Sequence, residues 1–315
     1  MLTQEQIDQF HRDGFLRIPG LFAGRELELL RDAADHVQAE GVARTGSDHL
    51  YKKVGGRAVY YRSEQMWRRG DIFQAVTVKP QLLAMVAQCL GHPFRPINDS
   101  FVCKLPGGDV PVEWHQDPPY YQADARKDTF GVPNFDVDIY LDDSTVDNGC
   151  LWGLAGRHLV GKLELERFSE RDLFDRFGAV PIEMRAGDVL FHGLSAPHGS
   201  AGNRSDAIRR IFYVHYMARE VAEQCYPNSE KTKAAIGEAG AAVVIQMLET
   251  RKRMGFDTID GSGITWTGDG FSFTGRPRTG SWHWRTLIDA MSQDQIAALR
   301  ALKPIASCPT PEQGG

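Results

Sequence analysis

The segment Trp114-His115-Gln116-Asp117 has the residue types of a metal site. Side chains two positions apart in a strand point to the same side, so His115 and Asp117 can reach one metal ion. A third ligand must come from elsewhere in the chain, and His198 is the leading candidate. Two histidines and one carboxylate leave three octahedral positions open, as in non-haem Fe(II) oxygenases, where a chelating 2-oxo acid and dioxygen can bind.

An arginine downstream of His198 strengthens this interpretation. A His-x-Asp motif often arises by chance, and a lone histidine is more often a core or surface residue than a ligand. Arg209 lies eleven residues after His198, far enough for the chain to turn and return on the next strand. There its planar, permanently charged guanidinium could clamp a distal carboxylate. Ser200, two residues beyond His198, could share that carboxylate.

Helical patterns dominate the first part of the chain. Thr3 and Gln6 have the spacing of a capping box that begins a short helix. The segment FLRIPGLF is then predicted to be extended. Apolar residues at three- and four-residue spacing predict a second helix from Arg25 to about Glu40, and Pro80 begins a third.

Short strand patterns, separated by Gly, Pro, Asn and Asp, follow from about residue 96 to 217. The alternation is clearest in FDVDIYLDD, where Asp136, Asp138 and Tyr140 share one face. Helices flanking short antiparallel strands indicate a jelly roll or barrel with a helical layer outside it. The predicted strands are 98–105, 135–143, 149–154, 180–184, 188–193 and 208–217.

No linker, internal repeat or low-complexity tract divides the chain, so we expect a single domain over residues 1–315. Within it we expect a helical N-terminal layer over 1–95, the β core over 96–217, and an extension of helices and a hairpin over 218–315. The extension is a candidate lid or homo-oligomer surface, and the sequence leaves both open.

The composition argues against several other classes of protein. Thirty-six basic and 41 acidic residues give a net charge of −5, which disfavours nucleic acid as a partner. No run of 18 apolar residues could span a membrane, and the polar N-terminus is unlike a secretory signal. The five scattered cysteines disfavour a disulfide framework and a cysteine zinc site. We therefore expect a soluble cytoplasmic protein.

Four stretches of the chain resemble the phytanoyl-CoA dioxygenase family of Fe(II)/2-oxoglutarate-dependent oxygenases. The resemblance implies a mainly β fold with flanking helices and a double-stranded β-helix core (a cupin-like jelly roll). It also implies that His115, Asp117 and His198 bind iron, and that Arg209 and Ser200 hold the C5 carboxylate of 2-oxoglutarate. The stretches, which span residue 2 to about 217, are LTQEQIDQFHRDGFLRIPGLF, KLPGGDVPVEWHQD, LDDSTVDNGCLWGLAGRH and GDVLFHGLSAPHGSAGNRSDAIRR.

Three further residues acquire expected roles from this resemblance. His192 is a rival third ligand, but the residue eleven positions after it is Asn203, which cannot supply a cationic clamp. We therefore expect His192 to support the metal site or to lie in the strand core. Arg62 lies where the family can place a basic residue that reaches 2-oxoglutarate. His158 is expected to be structural or to line the pocket without binding metal.

The candidate substrate-pocket residues are one carboxylate and three aromatic side chains. Asp138 stands where many family members carry an aromatic residue or a threonine, and by strand parity it should face the interior. A buried carboxylate either pairs with a basic side chain or binds a cationic or hydroxyl-rich substrate. Tyr140, Tyr120 and Trp114 could line the same pocket, although such aromatic residues more often belong to the core.

The predicted activity is hydroxylation, or another oxidation, of an unactivated C–H bond in a small-molecule metabolite. Fe(II), 2-oxoglutarate and O₂ would take part, and succinate and CO₂ would be released. Asp117 argues against halogenation, because halogenases on this scaffold lack the carboxylate so that chloride can bind iron. One alternative is a non-oxidative cupin-like metalloenzyme such as an isomerase, which would need no arginine clamp. Another is a catalytically silent binding module, which would have lost a ligand or the arginine.

Overall fold

Two antiparallel sheets form the centre of the protein in the computed structural model, which describes residues 1–91, 93–117, 134–160, 162–175, 177–226, 229–275, 287 and 289–301. The strands are β1 (Phe15–Ile18), β2 (His49–Val54), β3 (Arg57–Glu64), β4 (Phe94–Lys104), β5 (Val112–His115), β6 (Phe135–Tyr140), β7 (Leu151–Gly153), β8 (Val180–Ile182), β9 (Val189–Gly193), β10 (His198–Ser200), β11 (Arg209–Ala218), β12 (Ile264–Trp266) and β13 (Phe271–Phe273).

Helices flank the sheets at both ends of the chain. They are α1 (Gln4–Asp13), α2 (Gly24–Ala43), α3 (Asp71–Thr77), α4 (Pro80–Leu90), α5 (Glu170–Asp175), α6 (Arg219–Cys225), α7 (Glu230–Ile236), α8 (Glu238–Arg253) and α9 (Gln293–Arg300). Short 3₁₀ turns occur at Met66–Arg68, Arg157–Leu159 and Leu165–Arg167. No helix in the described ranges combines the length and the apolar character needed to cross a membrane.

The larger sheet has the strand order β1-β9-β6-β11-β4-β13-β12, and the hairpin β2–β3 joins it through β4. The smaller sheet has the order β5-β10-β7-β8. A hydrophobic cluster joins the two, because Leu151 and Ile182 of the smaller sheet contact Tyr140, Leu190 and Ile211 of the larger one. This arrangement confirms the predicted jelly roll with flanking helices. The predicted strands correspond to β4, β6, β7, β8, β9 and β11, although β4 begins at Phe94.

Alternation along β11 separates the hydrophobic core from the interior between the sheets. Phe212, Val214 and Tyr216 belong to the main hydrophobic cluster, and Phe212 packs against Phe73 of α3 with ring centroids 5.1 Å apart. Residues at the intervening positions, such as Tyr213, face the other way and line a cavity. The helices therefore cover one face of the larger sheet, and the opposite face carries both the apolar contact with the smaller sheet and the polar side chains of the cavity.

The N-terminal cap is as predicted. The Thr3 hydroxyl accepts a hydrogen bond from the Gln6 backbone N–H, and the Gln6 side chain accepts one from Thr3 in return. Gly14 ends α1 in the left-handed conformation, with φ of 85°. A Cβ atom at Gly14 would lie only 2.6 Å from Nδ1 of His158, so this close approach also requires glycine.

The hairpin β2–β3 lies within the N-terminal layer that was predicted to be helical. Gly55 and Gly56 connect its strands, and both have positive φ (55° and 80°). Two-residue hairpin turns with positive φ at both positions match the twist of the flanking strands, and glycine adopts them at little cost. The Gly-Gly pair between β-branched and aromatic residues was therefore the sequence signal for this hairpin.

The C-terminal extension docks on the N-terminal helices through a buried arginine. Helix α8 packs against α3. Arg251 on α8 is 1% exposed and donates hydrogen bonds to Glu26 Oε1 (2.9 Å) and to the Ala75 carbonyl oxygen (2.9 Å). It also pairs with Asp257. The buried guanidinium thus connects α8 to both α2 and α3.

Replacing Arg251 with alanine should lower the free energy of unfolding by about 3 kcal/mol, because it removes one partner of a buried ion pair. Arg253→Ala is the matched control, since Arg253 pairs with Asp71 in a bridge whose side chains are both more than half exposed. This control substitution should lower the free energy of unfolding by less than about 1 kcal/mol. Urea unfolding of both variants tests the comparison, and equal losses would contradict a docking role for Arg251.

Candidate metal centre

Three predicted ligands meet between the two sheets. His115 ends β5 and His198 begins β10, and these residues are directly opposite each other in the antiparallel pairing. Asp117 follows β5, with its Oδ1 3.5 Å from His115 Nε2 and its Oδ2 3.7 Å from His198 Nε2. One potential ligand atom from each residue lies within 4.8 Å of the others, so the three could hold one metal ion.

Backbone contacts fix the orientation of both imidazole rings. Nδ1 of His115 lies 2.7 Å from the Glu113 carbonyl oxygen, and Nδ1 of His198 lies 2.9 Å from that of Ala196. A carbonyl oxygen only accepts, so each Nδ1 carries the hydrogen and each Nε2 keeps a lone pair for a metal. The Asp117 backbone N–H donates to the Leu194 carbonyl oxygen (2.9 Å), which fixes the third ligand.

The protonation of Asp117 and His198 suits a divalent cation, whereas in His115 the effect of burial is outweighed by the hydrogen bond and charge of Asp117, which raise its pKa. Burial, together with the nearby His115 and His192, lowers the pKa of His198 to about 3. Burial alone would raise the pKa of Asp117, but its contacts with the histidines outweigh burial and lower this pKa well below the usual range. Asp117 is therefore an anion and His198 a neutral imidazole, which are the forms that bind metal.

His192 lies beside the three residues and is paired with Asp138. Its Nδ1 is 2.9 Å from Asp138 Oδ2, and its Nε2 is 4.0 Å from Asp117 Oδ2. Burial would lower the pKa of His192, but the charge of Asp138 and the contacts with Asp117 outweigh burial and raise it well above 6.5. Of the two outcomes considered for Asp138, the structure therefore favours pairing with a basic side chain.

A second group of potential ligands shares one residue with the first. Asp117, Asp136 and His192 also offer ligand atoms within 4.8 Å of one another. Burial raises the pKa of Asp136 to about 7. His192 therefore lies close enough to other potential ligands to be an alternative metal ligand. Asn203, the residue eleven positions after His192, is buried and its side-chain amide donates to the carbonyl oxygens of Lys104 (3.0 Å) and Ala207 (2.7 Å).

Arg209 and Ser200 line the same cavity as the three predicted ligands, a space of about 190 Å³. Arg209 is 1% exposed, and its Nη2 donates to the Gly149 carbonyl oxygen (2.5 Å). Its Nε–H has no hydrogen-bond partner within the described ranges. A buried guanidinium with an unsatisfied donor is costly unless an anion binds it, so the position fits the predicted carboxylate clamp.

Arg62 also reaches this cavity, from β3. Its Nε donates to Glu64 Oε1 (2.5 Å). His158 lies elsewhere: it is buried, and its Nε2 donates to the His11 carbonyl oxygen (3.1 Å). Burial lowers the pKa of His158 to about 4, which agrees with the expectation of a neutral structural residue.

The aromatic residues expected in the substrate pocket lie in the core where the structure describes them. Trp114 is next to His115 in β5, so it points to the opposite side and packs against Phe174 with ring centroids 5.2 Å apart. Tyr140 is fully buried in the cluster between the sheets. Neither residue borders the cavity, and the proposed pocket roles are corrected accordingly. Tyr120 lies outside the described residues.

Several cavity residues were missed by the sequence reasoning. Tyr213 and His215 share the Arg209 face of β11, and strand alternation from Arg209 would have identified them. Asp99 on β4 gave no sequence signal. Burial raises its pKa to about 7, and one of its carboxylate oxygens accepts a hydrogen bond from the Trp67 backbone N–H (2.7 Å).

A larger cleft of about 1360 Å³ adjoins the metal cavity. Four residues border both spaces, namely Tyr61, Arg62, Asn98 and Asp99. Helices α7 and α8 of the C-terminal extension form the far wall, with Lys231 and Val243 among its side chains. The cleft therefore adjoins the cavity that the three predicted ligands border.

Comparison with solved structures supports the fold. AviO1 from Streptomyces viridochromogenes is 25% identical, with a TM-score of 0.56 over 69% of this chain and 96% of its own. The structure of EctD from S. alaskensis with 2-oxoglutarate and 5-hydroxyectoine has a TM-score of 0.57 at 19% identity, covering 70% of this chain and 77% of its own.

Curated relatives of similar length also match. The methylphosphonate hydroxylase of Gimesia maris is 24% identical over 244 residues, which cover 76% of this chain and 91% of the relative. A probable alpha-ketoglutarate-dependent hypophosphite dioxygenase of Stutzerimonas stutzeri is 24% identical over 233 residues, which cover 69% of this chain and 79% of the relative.

The jelly roll with two histidines and one carboxylate in its interior defines a non-haem iron, 2-oxoglutarate-dependent oxygenase. The profile described as Phytanoyl-CoA dioxygenase (PhyH) matches residues 10–211, well over half of the chain. The chain belongs to the phytanoyl-CoA dioxygenase family.

Replacing Asp138 with asparagine should lower the pKa of His192, because the closest carboxylate is lost while the burial of the ring remains. Histidine side-chain NMR of the metal-free protein measures this pKa. Ser200→Ala, which leaves every carboxylate in place, serves as the control. A His192 pKa that is the same in Asp138→Asn and in the unmodified protein would contradict the pairing.

Proposed function

We propose that this enzyme hydroxylates a C–H bond of a small polar metabolite, with His115, Asp117 and His198 as the iron ligands. The observation that carries the proposal is one cavity that contains both these three residues and the buried, incompletely satisfied guanidinium of Arg209. A metal-binding group and an anion-binding group in one space are what a chelating 2-oxo diacid needs.

Each ligand has a defined part in this proposal. The two imidazoles present Nε2 because the opposite nitrogens donate to backbone carbonyl oxygens. Asp117 supplies the negative charge that offsets part of the metal charge. Iron, when bound, supplies the redox chemistry with 2-oxoglutarate and O₂, and the protein supplies geometry and exclusion of water. His192, held by Asp138, lies against Asp117 and supports its position.

Arg209 and Ser200 would bind the distal carboxylate of 2-oxoglutarate. Both are nearly inaccessible to solvent and border the metal cavity. A guanidinium in such surroundings binds a carboxylate more strongly than one in water. Because Arg209 is fixed at the start of β11, the carboxylate position relative to the metal would be fixed too. Arg62, on another wall, would contact the co-substrate or the substrate.

The substrate would enter through the adjoining cleft. The junction between cleft and metal cavity carries Arg62, Asn98 and Asp99, and Asp136 lies further in. Side chains of this kind favour a substrate with several hydrogen-bonding groups. The names of the two relatives, a methylphosphonate hydroxylase and a hypophosphite dioxygenase, likewise refer to small polar substrates. We therefore favour a compact polar metabolite over an acyl chain.

We also propose that the chain forms a single domain and that the protein is cytoplasmic. Docking of α8 on α3 through Arg251 supports one domain that includes the C-terminal extension. Cys89, Cys103 and Cys150 are buried free thiols, which supports a reducing compartment such as the cytoplasm.

Replacing His198 with alanine should abolish the visible charge-transfer band that forms when Fe(II) and then 2-oxoglutarate are added anaerobically. His192→Ala is the matched control, because it removes a neighbouring buried imidazole, and it should retain the band. Absorption spectroscopy with measured iron content tests both variants. A band lost in His192→Ala and kept in His198→Ala would move the third ligand to His192.

Replacing Arg209 with methionine should raise the Kd for 2-oxoglutarate about 100-fold, because about 3 kcal/mol of charge-assisted hydrogen bonding is lost. Iron binding should be kept. Arg210→Met is the control, since the Arg210 guanidinium pairs with Asp35 and Asp142 instead of bordering the cavity. Anaerobic titration of the Fe(II) protein measures each Kd, and an unchanged value in Arg209→Met would reject the clamp.

The activity itself is tested by incubating Fe(II) protein with 2-oxoglutarate, O₂ and candidate polar metabolites. Succinate release that depends on one metabolite, together with a product heavier by one oxygen atom, is the expected result. A metal-bound protein that never turns over 2-oxoglutarate, with or without candidates, would instead favour the isomerase or binding-module alternatives.

A further inference from the structure

Two buried basic side chains lie side by side near one end of the metal cavity. Lys104 ends β4 and Arg209 begins β11, and the two residues are directly opposite each other in the antiparallel pairing. Lys104 is 2% exposed and Arg209 1% exposed. Neither forms an ion pair with a carboxylate in the ranges that the structure describes. Like charges placed opposite each other destabilise a sheet, so both side chains can be charged at little cost only when an anion binds beside them.

The Lys104 amine reaches the loop after β10. Its Nζ lies 2.7 Å from Ser200 Oγ and is also hydrogen-bonded to the Ala201 carbonyl oxygen. Gly149 lies next to both basic side chains. Its carbonyl oxygen accepts a hydrogen bond from Arg209. A Cβ atom added to Gly149 would lie 3.1 Å from Lys104 Nζ and 2.5 Å from the Ala201 carbonyl oxygen. The lysine is thus packed tightly behind Ser200, whereas Ser200 itself borders the cavity.

The charge on Lys104 decides what Ser200 can do. An ammonium group only donates hydrogen bonds, so Ser200 Oγ must accept from it. The hydroxyl hydrogen of Ser200 is then free to point into the cavity, towards an anion. A neutral amine can instead accept the Ser200 hydrogen, which turns the hydroxyl away from the cavity. Protonated Lys104 therefore makes Ser200 a donor towards the ligand.

The surroundings of Lys104 keep it largely neutral before an anion arrives. Burial and then the charge of Arg209 lower the pKa of Lys104 to about 6. The other charged or titratable groups that act on it are Lys52, which also lowers this pKa, and Cys150 and Asp109, which raise it. A carboxylate bound at Arg209 and Ser200 would add a negative charge close by and favour the ammonium form.

We propose that Lys104 takes up one proton from solvent when 2-oxoglutarate binds, and that the resulting ammonium group turns the Ser200 hydroxyl towards the distal carboxylate. Lys104 is a positioning residue, because it acts through Ser200 and does not border the cavity. The step converts an amine and a proton into an ammonium ion and makes no bond to the co-substrate. The inference rests on the proposed function, since it assumes that 2-oxoglutarate occupies the Arg209 end of the cavity.

Calorimetry of the anaerobic Fe(II) protein tests this proton uptake. Titration with 2-oxoglutarate at pH 7.5, in buffers with different ionisation enthalpies, should show about one proton taken up per molecule bound. Because the bound state prefers protonated Lys104, raising the pH should weaken binding. We expect the Kd to rise by up to about tenfold per pH unit between about pH 6.5 and 8.5. Lys104→Met should show neither proton uptake nor this pH dependence.

Two further variants separate the positioning role from general effects. Lys53→Met removes an exposed lysine from β2 and should keep both the proton uptake and the pH dependence. Ser200→Ala should weaken 2-oxoglutarate binding but still take up the proton, because the carboxylate charge acts on Lys104 through space. Circular dichroism checks that every variant is folded. The number of protons taken up by the unmodified protein is a test that does not depend on the folding of any variant.

The outcomes distinguish this inference from the proposed function. Tight 2-oxoglutarate binding with no proton uptake and a pH-independent Kd would overturn the role of Lys104 and leave the oxygenase proposal standing. Uptake that persists in Lys104→Met would assign the proton to another group and also overturn it. An Fe(II) protein that binds no 2-oxoglutarate would overturn the proposed function, and the inference with it.

Discussion

The antiparallel pairing of β5 with β10 is the constraint on which the site depends. It places His115 opposite His198, and the backbone carbonyls of Glu113 and Ala196 turn both rings so that Nε2 faces Asp117. Strand side chains alternate between faces, so a slip of one residue in either strand would send one imidazole out of the cavity. The geometry of the two imidazoles is thus a property of sheet register.

The polar interior is compatible with a stable fold because the other face of the larger sheet is strongly apolar. Phe212 and Val214 on β11 pack beneath the helices, while Arg209 and Tyr213 on the same strand face the cavity. Charges in the interior are handled in two ways. Asp138 is neutralised by His192, whereas the Arg209 end has no acidic partner in the described part of the chain. The first arrangement is structural, and the second is suited to an anionic ligand.

Local patterns in the sequence predicted most of the fold, and long-range contacts explain what they missed. The capping box at Thr3 and the alternation in β6 are local signals, and both appear in the structure. The pairing of Asp138 with His192 joins residues 54 positions apart, so no local pattern could reveal it. Lys104 escaped notice for the same reason. The pocket role predicted for Trp114 was an avoidable error. Neighbouring residues in a strand point to opposite faces, and Trp114 directly precedes His115.

The central claim is that His115, Asp117 and His198 bind the iron while Arg209 binds the far end of 2-oxoglutarate. An anaerobic crystal structure of the Fe(II) protein with 2-oxoglutarate measures this directly. We expect iron bonded to both Nε2 atoms and to an Asp117 oxygen, with the distal carboxylate on the Arg209 guanidinium. Iron bound instead by Asp136 and His192, or a distal carboxylate away from Arg209, would contradict it.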